Sequence, residues 1–138
     1  MTISKDIKFD CAHMLSDYEG KCSNLHGHTY HGTVVLEGDT DPQTGMLLDY
    51  NTIKQAVDKF DHAVIFSKFS ARNGAEQELY QWARRYEMKA VELLSSKSTA
   101  EGIATSIASD LIQFGNITSA HVRLSETDGS WAIAEATK

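Results

Sequence analysis

The chain has 138 residues, a net charge of −6, 41% hydrophobic and 23% charged residues. That length suits one domain, residues 1–138, with one core. The acidic balance excludes the basic footprint expected of a nucleic-acid or anionic-membrane binder, though it leaves room for a local pocket that takes one anionic substrate.

In chain order, residues 3–9 read as a strand, with Ile3, Ile7 and Phe9 in phase. Residues 28–37 read as a second strand, with Tyr30, Val34 and Leu36 on one face. Gly38 to Gly45, which contains the chain's single proline, reads as a loop. Residues 51–60 predict a helix capped by Asn51, with Ile53, Ala56, Val57 and Phe60 as its apolar stripe. Residues 74–87 predict a second helix, within an insertion, and residues 88–94 a short strand. The spacing of Ser98 and Glu101 predicts a capping box for a helix over 99–113, buried through Ile103, Ala104, Ile107, Ala108 and Leu111. Residues 118–126 and 130–137 predict a hairpin about Thr127-Asp128-Gly129-Ser130. Strand pairs followed by helices imply an α+β fold, an antiparallel sheet with helices on one face. No apolar run reaches membrane-spanning length, and the first ten residues lack a signal-like apolar core. A cytoplasmic protein is therefore expected, with Cys11 and Cys22 reduced.

The chemistry concentrates in Cys22-Ser23-Asn24-Leu25-His26-Gly27-His28. Alternate residues of an extended chain share a face, so His26 and His28 project together, in phase with Tyr30, Val34 and Leu36. If the first strand runs on, His13 continues the phase of Ile7, Phe9 and Cys11. Three imidazoles at a buried strand edge need partners, and a metal satisfies them. Three protein ligands with one vacant position is the arrangement of catalytic zinc. The paired His-x-His favours metal over three hydrogen-bonded core histidines. A closed site with Cys22 as fourth ligand stays open as an alternative. His31 and His121 fall on the opposite strand faces and read as surface or hydrogen-bonded residues.

For proton transfer, a thiol becomes a useful base beside positive charge, which a metal near Cys22 would supply. Asp61-His62 could pair a carboxylate with an imidazole, but the residues alone favour a helix stop with two solvated side chains. Glu126 shares the inward phase of Val122 and Leu124. Either it meets a ligand bearing adjacent N–H donors, such as an amino-pyrimidinone ring, or the strand has ended and Glu126 belongs to the turn.

Taken together, Phe9-x-x-Ala12-His13, Cys22-x-x-x-His26-Gly27-His28, Gly45-Met46-Leu47-Leu48-Asp49-Tyr50, Phe60-Asp61-His62, Ser98-Thr99-Ala100-Glu101 and Glu126-Thr127 resemble the 6-pyruvoyl-tetrahydropterin synthase / 6-carboxytetrahydropterin synthase family, in order and over most of the chain. The resemblance implies a tunnelling fold (T-fold): a four-stranded antiparallel sheet with two main helices packed on one face, here with an inserted helical segment, assembled into a homo-oligomer, typically a hexamer, with active sites at subunit interfaces. It implies zinc on His13, His26 and His28, and Cys22 as proton acceptor. Asp61 and His62 would complete a relay, Glu126 would anchor a pterin ring, and Thr99 would lie near the same pocket. The implied substrate is 7,8-dihydroneopterin triphosphate. The compact layout points to the branch that also cleaves the side chain, giving 6-carboxy-5,6,7,8-tetrahydropterin and acetaldehyde on the route to preQ0 and queuosine. The 6-pyruvoyl branch is the alternative within the family. Outside it stand a zinc hydrolase and a zinc-stabilised, non-enzymatic binding module. Three features depart from the family pattern: Lys97-Ser98-Thr99 in place of Asn-Pro-Thr, Cys11 in place of a small residue, and a long connection over residues 67–97.

Overall fold

A computed structural model describes residues 1–70 and 74–138. Part of the long 67–97 connection, residues 71–73, lies outside the described residues. In chain order the elements are β1 (Thr2–His13), β2 (His26–Gly38), α1 (Tyr50–Asp58), β3 (Ala63–Ser67), α2 (Ala75–Arg85), β4 (Ala90–Leu93), α3 (Ala100–Leu111), β5 (Ile117–Thr127) and β6 (Ser130–Thr137). A single 3-10 turn, Lys21–Ser23, lies between β1 and β2.

The strands form one sheet in the order β4-β3-β1-β2-β5-β6. The run β1-β2-β5-β6 is antiparallel throughout and is the expected four-stranded sheet. Two further strands correct that expectation, because β3 pairs parallel with β1 and β4 pairs parallel with β3. The sheet is thus six-stranded and mixed. Strand β3 lacks the alternating pattern that marks a half-buried strand: Ala63, Ile65, Phe66 and Ser67 are all buried, as expected of a parallel strand covered on both sides.

Alternation along β1 and β2 sends Ile7, Phe9, Cys11, Tyr30, Val34 and Leu36 into one core. On that face α1 contributes Ile53 and Val57, and α3 contributes Ile103, Ala104, Ile107, Ala108 and Leu111. Each fully buried Ile or Leu stabilises by roughly 1.5–3 kcal/mol relative to exposure, before entropy is counted. Helix α2 stands apart and packs on β4.

Both helix caps differ from expectation by one or two residues. Asp49, not Asn51, caps α1, its Oδ1 accepting the Asn51 N–H at 2.8 Å. Thr99, not Ser98, caps α3, its Oγ1 accepting the Gly102 N–H at 3.2 Å. Ser98 is engaged at the end of β1: its carbonyl faces His13 Nδ1, and its hydroxyl donates to Met14 O at 3.3 Å. The approach that allows this is close, since a Cβ on Gly102 would lie 1.8 Å from the Lys97 carbonyl oxygen.

Candidate metal centre and adjoining cleft

The register of β1 against β2 sets His13 opposite His26 and Cys11 opposite His28. Three imidazoles therefore meet at one end of the central strand pair, with ring centroids 4.6 to 5.2 Å apart. The fourth member is Glu126. Strand β5 runs on through it to Thr127, so the strand has not ended at this position. One ligand atom from each of His13, His26, His28 and Glu126 lies within 4.8 Å of the others.

The hydrogen bonds around the rings define what the cluster can hold. His13 Nδ1 faces Ser98 O at 2.5 Å and His26 Nδ1 faces Asn24 O at 2.7 Å. A carbonyl can only accept, so both Nδ1 atoms carry the proton and both Nε2 atoms present lone pairs. Those two Nε2 atoms are 3.1 Å apart. Two lone pairs at that separation repel unless a cation lies between or beside them. His28 Nε2 is buried without a hydrogen-bond partner. It lies 3.1 Å from Glu126 Oε1, close enough for an ion pair but without the geometry of a hydrogen bond. Converging Nε2 atoms, with the Nδ1 atoms of His13 and His26 fixed by carbonyls and the Nε2 of His28 left without a partner, match the second-shell pattern of metal-bound histidines. The residues fit a metal ion.

Burial holds His28 below its ordinary value. The neighbouring Glu126 charge opposes that shift, and His13 and His26 reinforce it. Neutral imidazole is the ligating form. Tyr30, fully buried behind the cluster, donates its hydroxyl to Glu126 Oε2 at 3.1 Å. Burial and then the Glu126 charge push this phenol far above its usual range, so it stays protonated as a donor. Burial likewise pushes the Cys11 thiol up to about 12, in keeping with a packing role.

Glu126 opens onto a cleft of about 410 Å³ lined by Leu15, Thr99, Glu101 and Trp131 among others. Thr99 and Glu126 line the same cleft. Cys22 lies in the 3-10 turn, half-buried, and its carbonyl accepts the N–H of the cleft residue Leu15 at 2.9 Å. Its sulfur is outside the converging ligand group. Asp61 and His62 do pair, Oδ2 to Nδ1 at 3.0 Å, and Asp61 Oδ1 accepts the Asp10 N–H at 2.9 Å. The Asp10 N–H, followed by His62, holds the Asp61 carboxyl below its usual range. His62 adopts a left-handed backbone, φ 58°, and its side chain is 78% exposed. It shares an open groove with Asp10, Thr29 and Val64, with His28 at the groove wall; Cys22, Thr99 and Glu126 do not line that groove. A single chain therefore gathers His13, His26, His28, Glu126 and Thr99, and leaves the Asp61–His62 pair in a different recess.

Sequence reasoning missed Tyr30 as the donor to Glu126, although it shares the strand phase of His28. It also missed Glu76, a carboxylate buried in the first turn of α2. No motif signals a buried glutamate in an otherwise polar helix.

A mixed sheet with α1 and α3 packed on its core face and a three-histidine, one-carboxylate cluster at its central strand ends defines a T-fold protein with a site fit for a metal. The family model of 6-pyruvoyl tetrahydropterin synthase matches residues 2–137, and the chain belongs to that family. A 6-carboxy-5,6,7,8-tetrahydropterin synthase of Haemophilus influenzae is 33% identical over 137 residues, covering 94% of each chain. A protein of the same name from Synechocystis is 30% identical over 89 residues, 58% of this chain and 69% of the other. Among solved structures, the 6-pyruvoyl tetrahydropterin synthase of Plasmodium vivax superposes with a TM-score of 0.64 at 18% identity, covering 100% of this chain and 99% of the other. That likeness speaks for the fold alone.

Proposed function

We propose that the chain is a zinc-dependent lyase converting 7,8-dihydroneopterin triphosphate and one water to 6-carboxy-5,6,7,8-tetrahydropterin, with release of triphosphate and acetaldehyde. The observation that carries this reading is the convergence of three histidine Nε2 atoms, two of them 3.1 Å apart, beside a carboxylate at the mouth of a cleft. The names of the relatives from Haemophilus influenzae and Synechocystis support the 6-carboxy product.

His13, His26 and His28 would hold zinc, which suits neutral imidazole and a vacant fourth position. When bound, the ion supplies Lewis-acid polarisation of the substrate side chain, which acidifies the adjacent C–H. Glu126 accepts the paired N–H donors of the pterin ring and orients it, with the Tyr30 hydroxyl steadying the second carboxylate oxygen. Thr99 borders the ring's cleft. Cys22 accepts the proton from the activated carbon. His62, oriented by Asp61, returns or relays protons as triphosphate leaves.

Because the Asp61–His62 pair opens into another recess than the Glu126 cleft, the relay is completed across a subunit interface. The working form is accordingly a homo-oligomer, a hexamer by family resemblance, of one-domain chains, in the cytoplasm and without nucleic-acid or membrane partners. The family name favours a second reading, in which triphosphate is eliminated and the three-carbon side chain is retained as the 6-pyruvoyl product.

Incubation of the zinc-loaded chain with 7,8-dihydroneopterin triphosphate, with products identified by mass, decides between the two. Acetaldehyde and the 6-carboxy product are expected. A retained three-carbon side chain selects the second reading, and no turnover removes both. Cys22→Ala should abolish turnover while zinc stays bound. Retained activity would instead indicate a metal-bound water as nucleophile, and loss of zinc with unfolding would indicate a structural module ligated by Cys22.

A further inference from the structure

The segment that leads from His13 towards Cys22 is held mainly from outside itself. His13 Nδ1 donates to Ser98 O, and Ser98 Oγ donates to Met14 O. Ser16 Oγ donates to Glu76 Oε2 at 2.5 Å, and Lys97 Nζ bonds both Asp17 Oδ2 and Phe69 O. Between these ties, the Leu15 N–H grips the Cys22 carbonyl. Residues 13, 14, 16 and 17 are thus each bonded to the stretch from Phe69 to Ser98, and the residue in the middle holds the cysteine.

Glu76 is the most buried charged side chain of this brace, at 4% exposure. Its Oε1 accepts the Ser70 hydroxyl at 2.9 Å and lies 3.5 Å from the Ser67 N–H. A buried carboxylate is costly unless several donors converge on it. Among the described residues the donors are Ser67 and Ser70, at the end of β3 and just after it, and Ser16 in the β1–β2 connection. The carboxylate therefore ties the β1–β2 connection to the chain that follows β3. The other strut, Lys97, is one of the two residues, with Ser98, at which this chain departs from the family's Asn-Pro-Thr pattern.

We propose that Glu76 is a positioning residue for Cys22, acting through Ser16 and Leu15, and that the long 67–97 connection braces the cysteine-bearing turn against the cleft. This rests on the reading of Cys22 as the proton acceptor. It extends that reading by assigning a role to the connection, with Lys97–Asp17 as the second strut.

Two variants test it. Ser16→Ala removes one hydroxyl at a half-buried position and leaves Glu76 its other donors; Glu76→Gln removes the charge. For each, the alkylation rate of Cys22 by iodoacetamide is measured by peptide mass mapping, with buried Cys11 as the silent thiol. Zinc content, kcat and KM are measured on the same samples. Ser16→Ala should change the Cys22 alkylation rate about threefold or more. It should lower kcat about tenfold with KM within about twofold, since misplacing a reacting group costs rate rather than binding. Zinc content should be unchanged, and Ser16→Thr should restore both rates. An unchanged alkylation rate and unchanged kcat in folded Ser16→Ala overturn the proposal, whether or not Glu76→Gln folds. A wild-type chain without turnover, combined with a shifted alkylation rate in Ser16→Ala, keeps the brace and removes the proposed reaction.

Discussion

Replacing Glu126 by Gln separates two roles that the geometry allows one carboxylate to play, pterin anchor and fourth metal ligand. The amide keeps the shape and one oxygen for the Tyr30 hydroxyl, which lies 3.1 Å away. It removes the charge. A hydrogen bond to a charged group contributes about 1.5–3 kcal/mol, and a neutral one about 1 kcal/mol. Two ring N–H donors therefore lose about 1–4 kcal/mol together. The carboxylate is 27% exposed, so water screens part of this, and a loss of about 0.7–2.5 kcal/mol is expected. That corresponds to about threefold to seventyfold weaker binding. The assay is fluorescence titration with neopterin, an oxidised analogue of the substrate's ring and side chain, alongside zinc analysis of the same sample. Weaker neopterin binding with full zinc content matches the anchor role. Unchanged affinity would remove Glu126 from the ring site, and lost zinc would make it a ligand.

Tyr30→Phe deletes only the hydroxyl and keeps the ring stacked on Phe9, at 5.2 Å between centroids. The lost bond should cost about 1 kcal/mol, lowering Tm by several degrees. KM for the pterin substrate should rise as Glu126 loses its support; an unchanged KM would show that the carboxylate holds itself in place. Asp61 has a folded-state value below its ordinary one. Its stabilising contribution is therefore present above the usual carboxylate range and is lost as pH falls through the lowered value. The difference in urea midpoint between wild type and Asp61→Asn should be present at about pH 7 and close on acidification below about pH 4. A difference independent of pH would refute the assignment.

The periodic parts of this chain were legible because burial acts on one face at a time. The alternation through Phe9, Cys11 and His13 and through His26, His28 and Tyr30 was enough to place three imidazoles together, because strand geometry sends every second side chain the same way. Strand β3 was not legible. Its apolar Ala63-Val64-Ile65-Phe66 run is short and buried without alternation, which a period of two cannot detect. The α3 cap slipped because Ser98 answers to the end of β1 rather than to its own helix, a tertiary demand that capping-box spacing does not encode. Glu126 could be read as inward-facing, but its bond to Tyr30 depends on pairing across β2 and β5. The separation of Asp61–His62 from the Glu126 cleft depends on the parallel addition of β3 beside β1, which local pattern also leaves unseen.

What surrounds the metal decides most directly whether this chain works as proposed. Zinc-edge X-ray absorption on the reconstituted wild-type chain measures it. The spectrum should give imidazole nitrogens at about 2.0–2.1 Å, with no sulfur shell near about 2.3 Å. A sulfur scatterer on the zinc, or a chain that retains no zinc after reconstitution, would contradict the three-histidine site.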